Sequence, residues 1–265
     1  MVGLIFFTLY PLINMVKISA IILTFNEERN IGRCLESILS VSDEIVVIDS
    51  FSTDQTEAIC KRFEVKFVQH RFDGYIEQKN YGMSQASFDY ILSLDADEAL
   101  SPELLNSVMT AKQNWSADGY TMNRLSNYCG KWIRHSGWYP DRKMRLVDRR
   151  KGKWGGLNPH DKFIPSSDAQ IKHLPGDIHH YSYYTFAEHE AQAIKFSDIA
   201  SKALFDKGVK SNLLKLIYKP FARFIKTYFI NLGILDGSAG FTIACMTAKS
   251  SYLRYLKLYK LQNQK

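Results

Sequence analysis

Two aspartates, Asp95 and Asp97, are separated by a single residue and follow the apolar run Tyr90–Leu94 directly. If the backbone turns where this run ends, both carboxylates face the same cleft. Carboxylate oxygens suit a hard divalent cation that keeps waters and binds substrate phosphates. The spacing therefore predicts a site for Mg²⁺ or Mn²⁺, and a solvated acidic turn ahead of a helix cap is the alternative.

Two further charged residues occupy positions suited to a nucleotide. Asp49 directly follows the apolar segment EIVVI and could accept hydrogen bonds from a base or a ribose, or could cap the next helix. Lys79 lies on a predicted helix that runs towards the same cleft. Its ammonium could bind a phosphate of the nucleotide. The alternative, which the sequence supports almost equally, is a helix lysine exposed to solvent.

The segment 126–163 is rich in Trp, Tyr, Arg and Gly, and we expect loops there that line a cleft, with one short strand at Lys143–Val147. Its aromatic side chains could stack on sugar faces or belong to the core, and its arginines could bind acceptor phosphates bidentately. A neutral histidine just after this segment could complete a metal shell. These candidates are Trp138, Tyr139, Trp154, Arg142, Arg145, Arg149 and His180.

Strands and helices must bring these side chains together. Strands are predicted at Ile18–Phe25, a continuous apolar and β-branched run, and at Glu44–Asp49, Val65–Gln69 and Tyr90–Leu94. They alternate with helical segments of ten or so residues. This alternation predicts βαβ units, a mostly parallel sheet and an α/β fold. Ligands of such sheets bind at the carboxyl ends of the strands, where the chemistry-bearing residues fall.

Composition excludes several classes of protein. The chain has 265 residues, of which 46% are hydrophobic and 23% charged, and these values exclude a disordered chain. Its four cysteines form no C-x-x-C pair, which favours reduced thiols and a cytoplasmic location over a disulfide framework. Residues 1–16 are apolar but short for a membrane span, so we interpret them as an upstream extension ahead of a start at Met15, with a membrane-dipping anchor as the alternative.

The net charge of +7 is unevenly distributed. Residues 201–265 hold twelve Lys or Arg and two acids, which leaves −3 for residues 1–200. Cations recur at helical spacing among large apolar residues, a pattern typical of a basic amphipathic helix on an anionic membrane, or of a helix packed on the catalytic domain. The predicted membrane contacts are Lys215, Lys219, Arg223 and Lys226.

The order of motifs resembles glycosyltransferase family 2. The motifs are T-F-N-E-E-x-N-I, V-V-I-D-S-x-S-x-D-x-T, Q-K-N-x-G and L-D-A-D-E, and they cover residues 17–125. Later segments, among them G-W-Y-P-D-R-K-M-R-L and W-G-G-L-N-P-H-D, resemble the bacterial β-1,4-glucosyltransferases of the lipopolysaccharide inner core, which add glucose to a heptose.

The resemblance implies a GT-A fold, a Rossmann-like sheet flanked by helices, here with a basic amphipathic C-terminal extension. It implies inverting transfer of a hexose, here glucose, from a UDP-sugar to a lipid-linked saccharide, at the inner face of the cytoplasmic membrane. Carried over by position, Thr24, Asn26, Glu27 and Asp49 hold the nucleoside, Lys79 and Asp95 contact the ribose and diphosphate, and Asp97 binds the metal. Asp95 and His180, which matches a segment of the subgroup, are further candidate metal ligands. From their residue types, Trp138, Tyr139 and Arg142 are the candidate acceptor contacts.

An inverting transferase needs a base within hydrogen-bond reach of the acceptor hydroxyl. The chain lacks the Glu-Asp pair that many family members carry, and His160-Asp161 is the nearest equivalent. Asp161 is therefore the candidate base and Asp141 its rival. Either could simply pair with a neighbouring cation, Arg142 or Lys162.

We expect three segments: an extension at 1–16, a catalytic domain at 17–185 and a membrane-associating helical tail at 186–265. The alternatives to a transferase are a haloacid-type phosphohydrolase that uses the D-x-D pair, or a non-enzymatic protein that binds anionic lipid or nucleic acid. The phosphohydrolase is disfavoured because enzymes of that type carry D-x-D after their first strand, whereas here it follows the fourth predicted strand. No nucleic-acid motif is present, so no nucleic-acid partner is expected.

Overall fold

A computed structural model of the chain describes residues 15–157 and 160–264. The predicted extension at 1–16 falls almost wholly outside the described residues. In chain order, the elements of the first half are β1 (Ile18–Thr24), α1 (Ile31–Ile38), β2 (Glu44–Asp49), α2 (Thr56–Cys60), β3 (Lys66–Gln69), α3 (Tyr75–Gln85), β4 (Tyr90–Asp95), β5 (Glu98–Leu100) and α4 (Pro102–Gln113).

The second half begins with strands and ends in helices. Its elements are β6 (Gly119–Tyr128), β7 (Lys131–Trp132), β8 (Asp141–Asp148), β9 (Gly152–Leu157), β10 (His160–Pro165), β11 (Ile171–Tyr183), α5 (Phe186–Asp206), α6 (Leu213–Ile225) and α7 (Gly237–Gln262). A π-helical turn at Lys226–Ile230 continues α6, and a short 3₁₀ helix at Gly233–Asp236 precedes α7.

The main sheet has the strand order β3-β2-β1-β4-β8-β6-β11-β5, with β7 paired to β6. Strands β3, β2, β1 and β4 run parallel, and β8 pairs with β4 in the antiparallel sense. Strands β1, β2 and β4 are nearly continuous apolar runs that are buried on both faces, as expected for a parallel sheet covered by helices. The predicted α/β class with a mostly parallel sheet and a C-terminal helical extension is confirmed.

The segment 126–163 differs from the loops predicted for it. It continues β6, forms β7 and the eight-residue β8, and contributes most of a separate antiparallel pair, β9 with β10. Gly152 and Gly155 explain why this pair was missed, since glycine is a poor strand former. A Cβ at Gly152 would lie 2.5 Å from the carbonyl oxygen of Ile164, so the close pairing requires glycine there.

Asn26 followed by Glu27 and Glu28 predicts an N-cap and a helix from there to about Leu39, and this predicted start is wrong. The helix begins at Ile31 rather than after Asn26, and Asn26 adopts a left-handed backbone conformation with φ of 54°. Asn26 is therefore part of a tight turn and not an N-cap. This turn follows β1 directly and carries candidate nucleotide-binding residues.

The chain divides into two compact units. The first comprises Met1–Met122 and Arg142–Ile178, and the second comprises Asn123–Asp141 and His179–Lys265. In the second unit, α7 packs against α5 and α6, and a small core forms around Tyr128, Ile133 and Ile243. The functional boundaries expected at residues 17, 185 and 186 stay predictions.

The cysteines of the described residues are all free thiols. Cys34 and Cys60 are buried, as expected, whereas Cys129 is half-buried and Cys245 is exposed. No single helix in the described part of the chain has both the length and the apolar composition of a membrane span. One pair, Leu213–Ile230 and Gly233–Gln262, reaches that composition only together and is bent by 71°.

Candidate active site

The carboxyl edge of the parallel strands brings the first candidates together. In the sheet register, Thr24 of β1 is the partner of Asp49 on β2, and Leu23 is the partner of Asp95 on β4. The three polar side chains therefore follow adjacent strands at one edge. Thr24 is buried, and its hydroxyl finds no hydrogen-bond partner among the described residues. An unsatisfied buried hydroxyl at this edge is a natural contact for a ligand.

A buried lysine joins two of the candidate carboxylates. Lys79 is 2% exposed, and its ammonium lies 2.7 Å from Oδ2 of Asp161 and 3.3 Å from Oδ1 of Asp95. The same ammonium lies 4.6 Å from the ring centroid of Trp154. Asp161 therefore pairs with Lys79 from a distant part of the chain and not with its neighbour Lys162.

A buried arginine holds the other side of Asp95. Arg145 lies 2.7 Å from Oδ2 of Asp95 and 2.8 Å from Oε1 of Glu98, which is fully buried. Burial alone would lower the pKa of Arg145, but the Glu98 and Asp95 carboxylates raise that pKa well above its ordinary value. Both oxygens of Asp95 thus face cations, so the network orients this carboxylate firmly.

The charges of this network suit a divalent cation. Asp161, Asp95 and Glu98 outnumber Lys79 and Arg145 by one negative charge, and Asp97, which follows β4, adds a second. Within residues 15–157 and 160–264, no three His, Cys, Asp or Glu side chains cluster as a metal cage. Mg²⁺ usually binds through one or two carboxylates together with waters and substrate phosphates, so the Asp97 region fits such an ion without a cage.

The turn after β1 is tied to the turn after β2. The Asn26 side-chain oxygen accepts from the Thr53 amide at 2.8 Å, and the Asn26 amide donates to the Ser52 hydroxyl at 2.8 Å. The Asp49 carboxylate accepts from the amide and the hydroxyl of Ser52. The Glu27 amide donates to Thr56. The four predicted nucleoside residues thus lie on one hydrogen-bonded pair of turns, in which Asp49 is fully buried.

The strand pair β9–β10 carries Asp161 and is fastened to helix α3. The Asn80 side chain donates to the Trp154 carbonyl at 3.0 Å and accepts from the Trp154 amide at 3.1 Å. The Trp154 ring packs edge-on against Phe163. Trp154 is 3% exposed, so it belongs to the core and supports Lys79 rather than offering a face to a sugar. Helix α3 therefore positions Lys79 and, through the adjacent Asn80, also the strand pair that carries Asp161.

The second unit contains further candidates. Asp141, the rival base, accepts at its Oδ2 from both Nε and Nη2 of Arg124, at 3.0 and 2.7 Å, a pairing that the sequence did not predict. The side-chain amide of Asn123 lies 3.4 Å from the Tyr139 hydroxyl. Trp138 packs edge-on against Tyr128.

His180 places Nδ1 2.8 Å from the Ser182 hydroxyl, so this nitrogen is already engaged within the unit.

A carboxylate of the second unit organises the segment before Trp138. Asp236 is 3% exposed and accepts from the amides of Arg134 and His135 and from the Ser136 hydroxyl. Because Nδ1 of His135 also lies 3.2 Å from Oδ1, the carboxylate makes four contacts with three successive residues of one loop.

The arginines of β8 and its end have different environments. Arg142 is exposed, as an acceptor contact would be. Arg149 binds Asp89 and the carbonyls of Met83 and Ala86, and Arg145 binds the network described above, so both are used within the first unit. Sequence reasoning missed Arg145 and Glu98 as counter-ions. The available signal was one arginine inside the otherwise buried strand run M-R-L-V, since a buried arginine requires a carboxylate.

Residues 19–171 match the family model described as Glycosyl transferase family 2. Among curated proteins, the chain is 29% identical to an uncharacterised glycosyltransferase of Rickettsia typhi, over 93% of this chain and 88% of the relative. It is 27% identical to LpsC of Rhizobium meliloti, named a lipopolysaccharide core biosynthesis glycosyltransferase, over 94% of each chain.

Solved structures also resemble the chain. A crystal structure of S. aureus TarS 1-349 is 15% identical, covers 94% of this chain and 92% of its own, and aligns with a TM-score of 0.48. Glucosyl-3-phosphoglycerate synthase of Mycobacterium tuberculosis, solved with Mn²⁺, UDP and glucosyl-3-phosphoglycerate, is 16% identical over 74% of this chain and 82% of its own, with a TM-score of 0.47.

Proposed function

Because this chain belongs to glycosyl transferase family 2 and is a nucleotide-sugar-dependent glycosyltransferase, we propose that it transfers a hexose from a UDP-sugar to a lipid-linked saccharide. We propose glucose as the hexose and a heptose of the lipopolysaccharide inner core as the acceptor. The acceptor class is supported by the full-length similarity to LpsC, whose name places that relative in lipopolysaccharide core biosynthesis.

One observation carries the mechanism: the buried Lys79 ammonium lies between the Asp95 and Asp161 carboxylates. In the proposed reaction, Asp161 accepts the proton of the acceptor hydroxyl as that oxygen attacks the anomeric carbon. The bond from the anomeric carbon to the diphosphate breaks on the opposite face, which inverts the configuration. Lys79 is placed to offset the negative charge that develops on the leaving diphosphate.

We propose that the donor nucleoside lies against the paired turns after β1 and β2. Thr24 supports this placement through its unsatisfied hydroxyl, and Asn26, Glu27 and Asp49 line or shape the same turns. Lys79 and Asp95 then face the ribose and diphosphate side. Because Asp49 is buried, its contribution to nucleotide binding is to hold the turn at residues 50–53 through its hydrogen bonds with Ser52.

A divalent ion would be held by Asp97, with Asp95 beside it, and the participation of His180 stays a prediction. Mg²⁺ or Mn²⁺ bound there supplies neutralisation of the leaving diphosphate. Asp95 orients the site because Lys79 and Arg145 already engage its two oxygens.

For the acceptor, we propose contacts with Trp138, Tyr139 and the exposed Arg142, whose guanidinium is suited to bidentate phosphate binding. A lipid-linked acceptor would place the enzyme at the inner face of the cytoplasmic membrane. Asp141 is the weaker candidate base because two nitrogens of Arg124 donate to its Oδ2.

The test is transfer from UDP-glucose to a heptose-containing lipid core by the wild type and by Asp161→Asn and Asp141→Asn. We expect Asp161→Asn to reduce kcat by at least about a hundredfold, the usual contribution of a general base, while UDP-glucose binding by calorimetry is unchanged. Transfer should also be lost with EDTA and restored by Mg²⁺ or Mn²⁺.

Two outcomes would contradict the proposal. Full activity of Asp161→Asn with loss in Asp141→Asn would move the base to Asp141. Phosphate release without a sugar donor would favour a phosphohydrolase. A screen of UDP-, GDP- and TDP-sugars against the same acceptor tests the assignment of the donor.

A further inference from the structure

The helical segment Leu213–Leu235 exposes an unusual number of large apolar side chains. Nine of them are between 48% and 73% exposed, and helix α6 contains no buried residue at all. Monomeric proteins in water rarely leave such patches uncovered, and larger ones mark interaction sites. The nine residues, called here the apolar surface, are Leu213, Leu214, Ile217, Phe221, Phe229, Ile230, Leu232, Ile234 and Leu235.

Four cations accompany the apolar surface without acidic partners. Lys215, Lys219, Arg223 and Lys226 form no ion pair with any described residue. From Lys207 onward the sequence contains a single acid, Asp236, and this acid is buried. The four positive charges therefore remain available for a partner.

Helix α7 behaves differently, although it also contains cations. Lys249 forms an ion pair with Glu190, and Lys257 lies 2.6 Å from Asp198, so acids of α5 neutralise both. Lys249 and Lys257 therefore contribute no net positive charge. The four cations of α6 and the π-helical turn, which fall within the twelve residues 215–226, remain uncompensated beside the apolar surface.

We propose that the apolar surface docks onto the headgroup–acyl boundary of an anionic lipid bilayer. The apolar side chains enter the boundary, and the four cations contact lipid phosphates. This inference deepens the proposed function, on whose lipid-linked acceptor it rests, by naming the surface that brings the enzyme to the acceptor's membrane.

The segment lies along the bilayer rather than across it. A spanning orientation of Leu213–Ile230 would place cations at four successive depths of the hydrocarbon, where charged side chains are costly. The 71° bend between this segment and α7 also separates the two helices into different directions. An in-plane orientation lets each cation reach a headgroup while the apolar residues point inward.

Other occupants fit less well. Nucleic acid would neutralise the cations but would leave the apolar side chains in water. A second copy of the same chain, paired about a two-fold axis, would bring the same four cations towards each other. A bilayer of anionic lipid satisfies both the apolar and the charged groups.

The first test measures flotation of the full chain with vesicles of phosphatidylcholine alone and of phosphatidylcholine with phosphatidylglycerol. We expect binding to the second vesicles only. Ile217→Asn should weaken that binding about tenfold, since it removes one inserted aliphatic side chain. Ile199→Asn is the matched control, because Ile199 is a 49% exposed isoleucine of α5 outside the apolar surface, and it should bind as the wild type does.

The second test separates charge position from total charge. The double variant Arg223→Gln with Lys226→Gln should weaken vesicle binding about 30-fold, whereas Lys202→Gln with Lys207→Gln, an equal charge change at exposed positions of α5 and its end, should change it little. Equal losses in both pairs would overturn the assignment and indicate general electrostatic attraction. Unchanged binding in the first pair and in Ile217→Asn would overturn the docking surface itself.

A third measurement distinguishes this inference from the proposed function. Transfer to a water-soluble, deacylated core acceptor should be the same in the wild type and in Ile217→Asn, while transfer to vesicle-embedded acceptor should fall in the variant. If the wild type transfers to neither acceptor, the proposed function is refuted. The vesicle-binding tests then decide separately whether the apolar surface docks on a bilayer. Binding to a nucleic-acid column with no vesicle binding would refute the bilayer as occupant.

Discussion

At the scale of single residues, the first unit depends on buried charges that compensate each other. Arg145 is 3% exposed and bridges Asp95 and the fully buried Glu98. Removing one partner of a buried ion pair leaves an uncompensated charge, whereas an exposed pair contributes little. The environment of each arginine therefore decides the consequence of replacing it.

Arg145→Met should lower the free energy of unfolding by about 3–5 kcal/mol, because Glu98 and Asp95 lose their shared counter-ion. Arg71→Met is the control, since Arg71 is exposed and pairs with an exposed Asp73, and it should cost less than about 1 kcal/mol. Urea unfolding followed by circular dichroism measures both. Equal, small costs would show that Arg145 does not compensate Glu98.

His189 makes the stability of the second unit depend on pH. It is buried, and burial lowers its pKa below the ordinary value of 6.5. Nδ1 of His189 lies 2.9 Å from the Tyr128 hydroxyl, and burial, followed by the nearby Cys129 and Tyr183, raises the pKa of Tyr128 to about 12. Tyr128 thus stays protonated, and its hydroxyl shares a hydrogen bond with Nδ1 of a neutral imidazole.

Because the folded pKa of His189 is depressed, the unfolded chain binds the proton more readily. Its contribution to stability is complete above pH 6.5 and is lost as the pH falls below that value. Between pH 7.5 and about pH 5.5, His189→Gln should therefore lose less stability than the wild type. As a control, the exposed His173→Gln should lose as much stability as the wild type. Thermal unfolding of the three proteins at both pH values measures these losses. Equal losses in all three proteins would refute the role of His189.

Sequence reasoning found Asp95, Asp97, Lys79 and Asp161 as separate candidates but could not pair them. Lys79 and Asp161 are 82 positions apart, and no periodicity relates a helix residue to a strand residue at that distance. Asp141 illustrates the same limit, since its partner is Arg124 and not the neighbouring Arg142.

At the scale of elements, helix α3 sets the position of Lys79 through its contact with the sheet. Gly82 lies inside α3, where glycine is unfavourable for a helix, but its position against the sheet explains its presence. A Cβ at Gly82 would lie 2.5 Å from Cγ2 of Ile21 and 3.3 Å from Cγ1 of Ile48. The absence of a side chain lets α3 approach β1 and β2 closely.

Gly82→Ala should therefore destabilise the protein by about 1–3 kcal/mol through overpacking, although alanine favours helix by about 1 kcal/mol. Gly32→Ala in α1 is the matched control, because its Cβ would meet Ile59 at an ordinary 3.6 Å, and it should be neutral or stabilising. Chemical unfolding of both variants gives the comparison. A stabilised Gly82→Ala would mean that α3 can shift without cost.

The elements differ in how well sequence predicts them. Strands β1, β2 and β4 were predicted within a residue or two, because continuous β-branched runs leave few alternatives. The pair β9–β10 was missed because its first strand is G-K-W-G-G-L, where the glycines that permit close pairing also remove the apolar alternation. Long-range packing, rather than local preference, forms that pair.

At the scale of the whole molecule, the motifs predicted the family correctly, and the family model and the relatives confirm it. Charge is the second property of this scale. Residues 1–200 carry −3 and residues 201–265 carry +10, and four of the uncompensated cations lie on α6 and the turn after it, at Lys215, Lys219, Arg223 and Lys226.

The distribution of these cations decides between two membrane orientations on energetic grounds. Each Lys or Arg at the centre of a bilayer costs ~2.5–3.5 kcal/mol, so four in one segment would cost on the order of 10 kcal/mol. The same four residues near an anionic surface each contribute about 1 kcal/mol of attraction. The difference favours an enzyme held at the surface.

The ammonium shared by Asp95 and Asp161 also has a kinetic consequence. While Lys79 donates to Oδ2 of Asp161, that oxygen is less available to an incoming hydroxyl. On the proposal that Asp161 is the base, a diphosphate that draws Lys79 towards itself would free the carboxylate, so we expect sequential binding, with the nucleotide sugar bound before the saccharide. Such an order keeps the nucleophile inactive until there is something for it to attack, and it would appear in initial-rate measurements as product inhibition by UDP that is competitive with the donor alone.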